Sequence, residues 1–200
     1  MIATATGPAR PAALRRLVRP TWIGLALAVV VGLRWAATVA EASPYLVGAV
    51  FGIALVGLAR AGGQQAHVPP ARALIIGLAG AGLLVGLAIG AGQLAGQPLR
   101  PVPKSEFGAW ALITIVVASA EELVLRGALF DALQDAAGLS VAVVVTSAAF
   151  ALIHVPFYGW HVVPLDLGVG VFLAGLRLAS GSVAAPAVAH IVADLATWWV

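Results

Sequence analysis

Long apolar runs alternate with short polar breaks along the whole 200-residue chain. In lipid every backbone N–H and C=O must be satisfied within the segment, so a run of roughly 20 apolar residues crosses a bilayer as a helix. Strands of a barrel would alternate apolar and polar positions, and these runs do not. The pattern predicts an all-α, polytopic transmembrane helix bundle of about seven spans (six to eight), at residues 21–40, 44–59, 73–96, 107–133, 139–155, 161–178 and 183–200.

The breaks organise the chain. Residues 1–20 carry Arg10, Arg15, Arg16 and Arg19 among three prolines and read as a flexible or interfacial basic leader held on the cytoplasmic side. Residues 21–106 form accessory transmembrane helices. The first contains Arg34, which must snorkel or face protein, and the third has the small-residue spacing "GLAGAGLLVGLAIGAG" of a close-packing face. "AEAS" at 40–43 resembles a signal-peptidase site, but such peptides precede soluble protein, and here further apolar runs follow. The Pro-rich "QPLRPVPKSE" at 97–106 marks a boundary before a core at 107–200. With the leader inside, Arg60, Arg72 and Arg177 fall inside as well, whereas Arg100 and Lys104 fall outside, against the rule.

Composition supports this reading. The chain is 62% hydrophobic and 10% charged, with a mean hydropathy of +1.03, against about 25% charged residues in a soluble domain. It is an integral membrane protein, expected in a bacterial plasma membrane with its N-terminus cytoplasmic. The absence of cysteine excludes disulfides, thiolate nucleophiles and sulfur-ligated metals. A net charge of +3 concentrated near the N-terminus is a topology signal and implies no nucleic-acid partner.

Against this background the intramembrane polar residues stand out, because each costs about 2.5 to 3.5 kcal/mol to insert at a helix centre. In "EELVLR", Glu122 and Arg126 are four apart, so a charge-assisted pair is available on one helix face. Glu121 is rotated about 100° away and has no evident local partner. In a partly dry cavity it is a candidate general base. From these residues alone, a buried Glu/Arg/Glu clamp holding helices in register is an equal alternative. "FALIH" sets Phe150 and His154 on one helix face, and "HIVAD" does the same for His190 and Asp194. Glu, His, His and Asp on three helices are the residue types that activate a water or hold a metal. His67 and His161 read as loop and interface residues. Asp166 and Arg177 share one side of the sixth span and stay outside the predicted site.

The three motifs, in this order, resemble those of the CPBP intramembrane proteases, also called the CAAX prenyl endopeptidase or Abi family, whose patterns are EExxxR, FxxxH and HxxxN or HxxxD. The likeness covers residues 107–200. It implies an intramembrane endopeptidase acting on a peptide or protein substrate at the lipid bilayer. Glu121 would be the base for an attacking water, assisted by His154, with Glu122, Arg126 and Phe150 in support and His190 and Asp194 facing the oxyanion. Family members have been described as metal-free glutamate proteases and as metalloproteases. No cofactor is therefore fixed, and zinc or another divalent cation on Glu121, His154, His190 and Asp194 remains the alternative. Position 194 is Asp where the best-understood eukaryotic members carry Asn: an amide donates a hydrogen bond, an ionised carboxylate cannot, and a protonated one can.

Two other classes of function fit the same polar cavity: a proton-coupled transporter, although the two halves show no inverted repeat, and a binding or scaffold protein without turnover. The protease reading also meets a geometric difficulty. Straight antiparallel fourth and fifth spans would set Glu121 near mid-membrane and His154 about 20 Å above the inner surface. A tilt, a shift or a re-entrant segment is then needed to bring a glutamate and both histidines to one cavity, with Gly127 and Gly138 as places where a helix can bend or end.

Overall fold

A computed structural model describes residues 10–65, 67–94 and 106–199. The chain forms α1 (Arg10–Val39), α2 (Pro44–Ala61), α3 (Ala71–Leu94), α4 (Phe107–Glu122), α5 (Phe130–Ala137), α6 (Leu139–Tyr158), α7 (Val163–Ser180) and α8 (Ala184–Ala196). A π-helical segment, Leu123–Leu129, joins α4 to α5 without a break, and a 3-10 turn, Trp160–Val162, leads into α7. No strand occurs among the described residues.

The fold is the expected all-α membrane bundle. Among the described residues, 6 helical rods are long and apolar enough to cross a bilayer, one of them the continuous Phe107–Ala137. Its side chains are distributed inside out relative to a soluble domain. Leu25, Val29, Ile53, Ile75, Val144 and Leu165 are exposed, whereas Glu121, Glu122, Arg126 and His190 are buried. Lipid solvates the first group, and the bundle interior holds the second.

Three expectations need correction. The basic leader is not separate from the first span, because α1 begins at Arg10 and runs through Pro20. The expected last span at 183–200 is a helix of 13 residues that stops at Ala196. Its far end is held by aromatic contacts instead, with Trp198 against Trp110 at 4.5 Å and Trp199 against Phe107 at 5.2 Å. Such rings suit a membrane–water boundary. The fourth span is a rod of 31 residues ending at Ala137, four residues beyond the expected end. The connection at 97–105, with Arg100 and Lys104, lies outside the described residues.

Small residues let the helices approach. α3 packs on α8, where a Cβ added at Gly77 would lie 2.7 Å from the Ala185 carbonyl oxygen, so the Gly-rich face of α3 is a packing face. α2 packs on α4 and α1 on α2, so helices from residues 10–94 lie directly against the C-terminal core.

The turn at Gly138 sets the height of the site. Gly138 takes φ 91, ending α5 and starting α6 as a tight antiparallel hairpin. Glu121 lies seventeen residues before Gly138 and His154 sixteen after it. At about 1.5 Å per residue both stand roughly 25 Å from the turn, level with each other. The apparent depth mismatch came from ending the fourth span too early, and neither a re-entrant segment nor a large tilt is required.

Candidate active site

Glu122 is the centre of a closed network. Its carboxylate oxygen Oε1 accepts from Arg126 Nη1 at 2.8 Å and is 3.0 Å from His190 Nδ1. Arg126 Nη2 donates to the Gly170 carbonyl at 3.0 Å, and the Arg126 guanidinium lies 4.6 Å over the Phe150 ring. Glu122 and Arg126 are both 0% exposed. One arginine thus ties α4, α6 and α7 together, and His190 adds α8. The approach of α7 requires glycine at 170, where a Cβ would lie 2.9 Å from Ser147 Cα.

The π-helical turn underlies part of this arrangement. Its wide i→i+5 bonding changes the local register directly after the carboxylate pair, a place where π turns recur in functional sites. Arg126 lies within it, and the Arg126 carbonyl accepts from Arg177 Nε at 3.1 Å. Arg177 also donates to Asp131 at 3.3 Å. Arg177 therefore braces the turn.

Glu121 faces elsewhere. It is 3% exposed and lines a cavity of about 670 Å³ together with Arg34, Tyr45, Trp110, His154, Tyr158 and Asp194. Arg34 Nη1 stands 3.6 Å from Glu121 Oε1, so Arg34 faces protein, and Glu121 has a partner that sequence spacing did not reveal.

Phe150 accounts for the spacing of the second motif. Its ring meets His154 edge-on at 4.8 Å and His190 at 5.2 Å. A single apolar ring therefore sets the positions of both histidines. His154 Nδ1 lies 3.1 Å from Asp166 Oδ2, an ion-pair distance without the line-up of a hydrogen bond. Asp166, left out of the predicted site, is thus a neighbour of one of its histidines. The turn at Gly159 explains this, with His154 five residues before it and Asp166 seven after. His154 lines the cavity, whereas His190 stands behind it, between Glu122 and Asp194. His67 accepts from or donates to nothing in this region; its Nδ1 is 3.1 Å from the Gln65 carbonyl. His161 is likewise outside the cavity lining.

His190 Nε2 is 3.4 Å from Asp194 Oδ2, and the Asp194 side chain is 45% exposed. Because Glu122 Oε1 already accepts from Arg126, it suits the Nδ1–H of His190. Nε2 then faces the Asp194 carboxylate. Both ring nitrogens of His190 are occupied by carboxylates, which does not favour the expected oxyanion role for that ring.

A metal would require open donors converging on one point. Among the described residues no three His, Asp or Glu side chains are gathered in that way. Glu121, His154, His190 and Asp194 do not fit a cation as arranged, since His190 has no free nitrogen and His154 is turned toward Asp166.

Residues 103–196, slightly under half of the chain, match the family model described as type II CAAX prenyl endopeptidase Rce1-like. All three motifs lie within the match. No curated protein and no solved structure matches the chain.

Proposed function

We propose that this chain, whose residues 103–196 belong to the Rce1-like type II CAAX prenyl endopeptidase family, is an intramembrane endopeptidase that cleaves membrane-associated or apolar peptides. The observation that carries the reading is that Glu121, His154 and Asp194 line one cavity in an otherwise apolar bundle.

In this mechanism a water rests between the Glu121 carboxylate and His154. Glu121 takes a proton from it, the water oxygen attacks the peptide carbonyl carbon, and the proton passes to the amine nitrogen as the C–N bond breaks. General acid–base assistance of this kind contributes about 10²- to 10⁴-fold. Asp166 orients His154 through its Nδ1. Glu122, Arg126 and Phe150 hold the surrounding helices and His190, and Asp194 faces His190 Nε2.

The aromatic lining of the cavity, Tyr45, Trp110 and Tyr158, suits an apolar peptide near the membrane boundary. The proposal includes a bacterial plasma membrane with the N-terminus on its cytoplasmic side. The orientation follows the positive-inside rule for Arg19, Arg60, Arg72 and Arg177, with contacts such as Arg19 to the Gly62 carbonyl and Arg72 to the Ala179 carbonyl.

The test uses protein purified into nanodiscs and a panel of quenched fluorescent apolar peptides. Wild-type protein cleaves at least one of them, and His154→Ala, still folded by thermal unfolding, does not. Equal cleavage by the two proteins would sink the proposal.

A further inference from the structure

Arg34 belongs to α1, outside the segment that carries the motifs. A long cationic side chain in an apolar helix ordinarily extends to the lipid boundary. Arg34 instead turns into the bundle, while its neighbours Leu33 and Trp35 are exposed. Its guanidinium lies 4.4 Å over the Phe51 ring of α2 and 4.5 Å over the Phe157 ring of α6, a two-sided cation–π grip. The remaining direction leads to Glu121, at 3.6 Å.

The charges pair off accordingly. Glu122 has Arg126 on its own helix, and Glu121 has Arg34 from across the cavity. A carboxylate with so little exposure in an apolar bundle needs a compensating cation to remain ionised. Of the groups that line its cavity, Arg34 is the permanent one.

We propose that Arg34 is a positioning residue for the reaction. Acting through Glu121, it fixes the carboxylate at the cavity edge and offsets part of the cost of burying its charge, so that the carboxylate can accept the proton of the attacking water. The site is then incomplete without α1, although α1 carries none of the three motifs. This rests on the reading of Glu121 as the base.

The experiment has one arm that depends on turnover and one that does not. In nanodiscs, Arg34→Gln lowers kcat about ten- to hundredfold, the scale of a lost charge-assisted contact, and leaves KM little changed. Arg34→Lys recovers most of the rate, and free guanidinium restores turnover to Arg34→Ala. A merely structural role would produce neither rescue. Independently of cleavage, the apolar reagent dicyclohexylcarbodiimide, which modifies protonated carboxyls, labels Glu121 more in Arg34→Gln than in wild type or Arg34→Lys. Mass spectrometry reads the site, with Glu121→Gln as control and thermal unfolding to confirm folding. Wild-type kcat in Arg34→Gln, or equal Glu121 labelling in folded wild type and Arg34→Gln, would overturn the proposal. Increased labelling in a protein that cleaves no peptide would uphold the pairing and refute the protease reading instead.

Discussion

Glu121 and Glu122 share a peptide bond, yet their side chains enter different regions of the molecule. On the Glu122 side every neighbour is buried: Arg126, His190 and the Gly170 carbonyl close around it, and four helical rods meet there. On the Glu121 side the helices part to leave a cavity, and the neighbours are Arg34, His154 and Asp194. A rotation of about 100° between consecutive helical residues separates the two. The closed region can hold geometry but has no room for a substrate. The open one has room for a substrate and obtains its precision from the closed region behind it, through Phe150 and the shared helix.

Breaking the closed region should have the largest effect. Arg126→Met leaves Glu122 buried without its cation, which costs about 3 to 5 kcal/mol when one partner of a buried pair is removed. Chemical unfolding in mixed micelles should show that loss, with cleavage lost in proportion to folded protein. Next comes Asp166→Asn, which acts on the open region through His154. It should lower kcat by about tenfold, the smaller part of the 10²- to 10⁴-fold that acid–base assistance supplies, because the charge facing His154 Nδ1 is lost, with unfolding little changed. A pre-steady-state assay separates that from substrate binding.

A smaller effect is expected where the closed region is merely crowded. Gly170→Ala forces α7 away from Ser147 and stretches the Arg126 bond to the carbonyl, costing about 1 to 3 kcal/mol as an overpacking change. The unfolding midpoint should fall further than it does for Gly175→Ala, where an added Cβ meets open space. The smallest effect is expected at Asp194→Asn. An amide can donate to His190 Nε2 or accept from it, whichever tautomer the ring adopts, so the rate should stay within about threefold of wild type. A large loss there would mean that a negative charge at 194 is needed, and would sharpen the difference between the two regions in another direction.

Much of this organisation was legible in the residues, and the omissions share a physical cause. Apolar runs located the helices because lipid leaves the backbone no other choice, and i,i+4 spacing identified the Glu122–Arg126 pair because both partners lie on one rod. The partners of Glu121 and His154 come from other rods. Arg34 and Asp166 carry no local spacing to betray them; Asp166 becomes visible only when residues are counted outward from a turn, and Arg34 only when the helices are packed. Counting from Gly138 would have placed Glu121 level with His154, and counting from Gly159 would have placed Asp166 beside His154. The π-helical turn left no trace in the apolar pattern, since its residues are as oily as those of an α-helix. The short α8 was misjudged because Thr197, Trp198 and Trp199 extend an apolar run that the backbone ends at Ala196.

The division between the two glutamates is tested most directly by single-turnover cleavage of a bound peptide by Glu121→Gln and Glu122→Gln in the same nanodiscs, each normalised to its folded fraction. Glu121→Gln should retain the wild-type unfolding midpoint and lose about 10²- to 10⁴-fold in rate. Glu122→Gln should unfold earlier, while its folded fraction still cleaves well above the Glu121→Gln rate. Near-wild-type cleavage by folded Glu121→Gln would contradict the account.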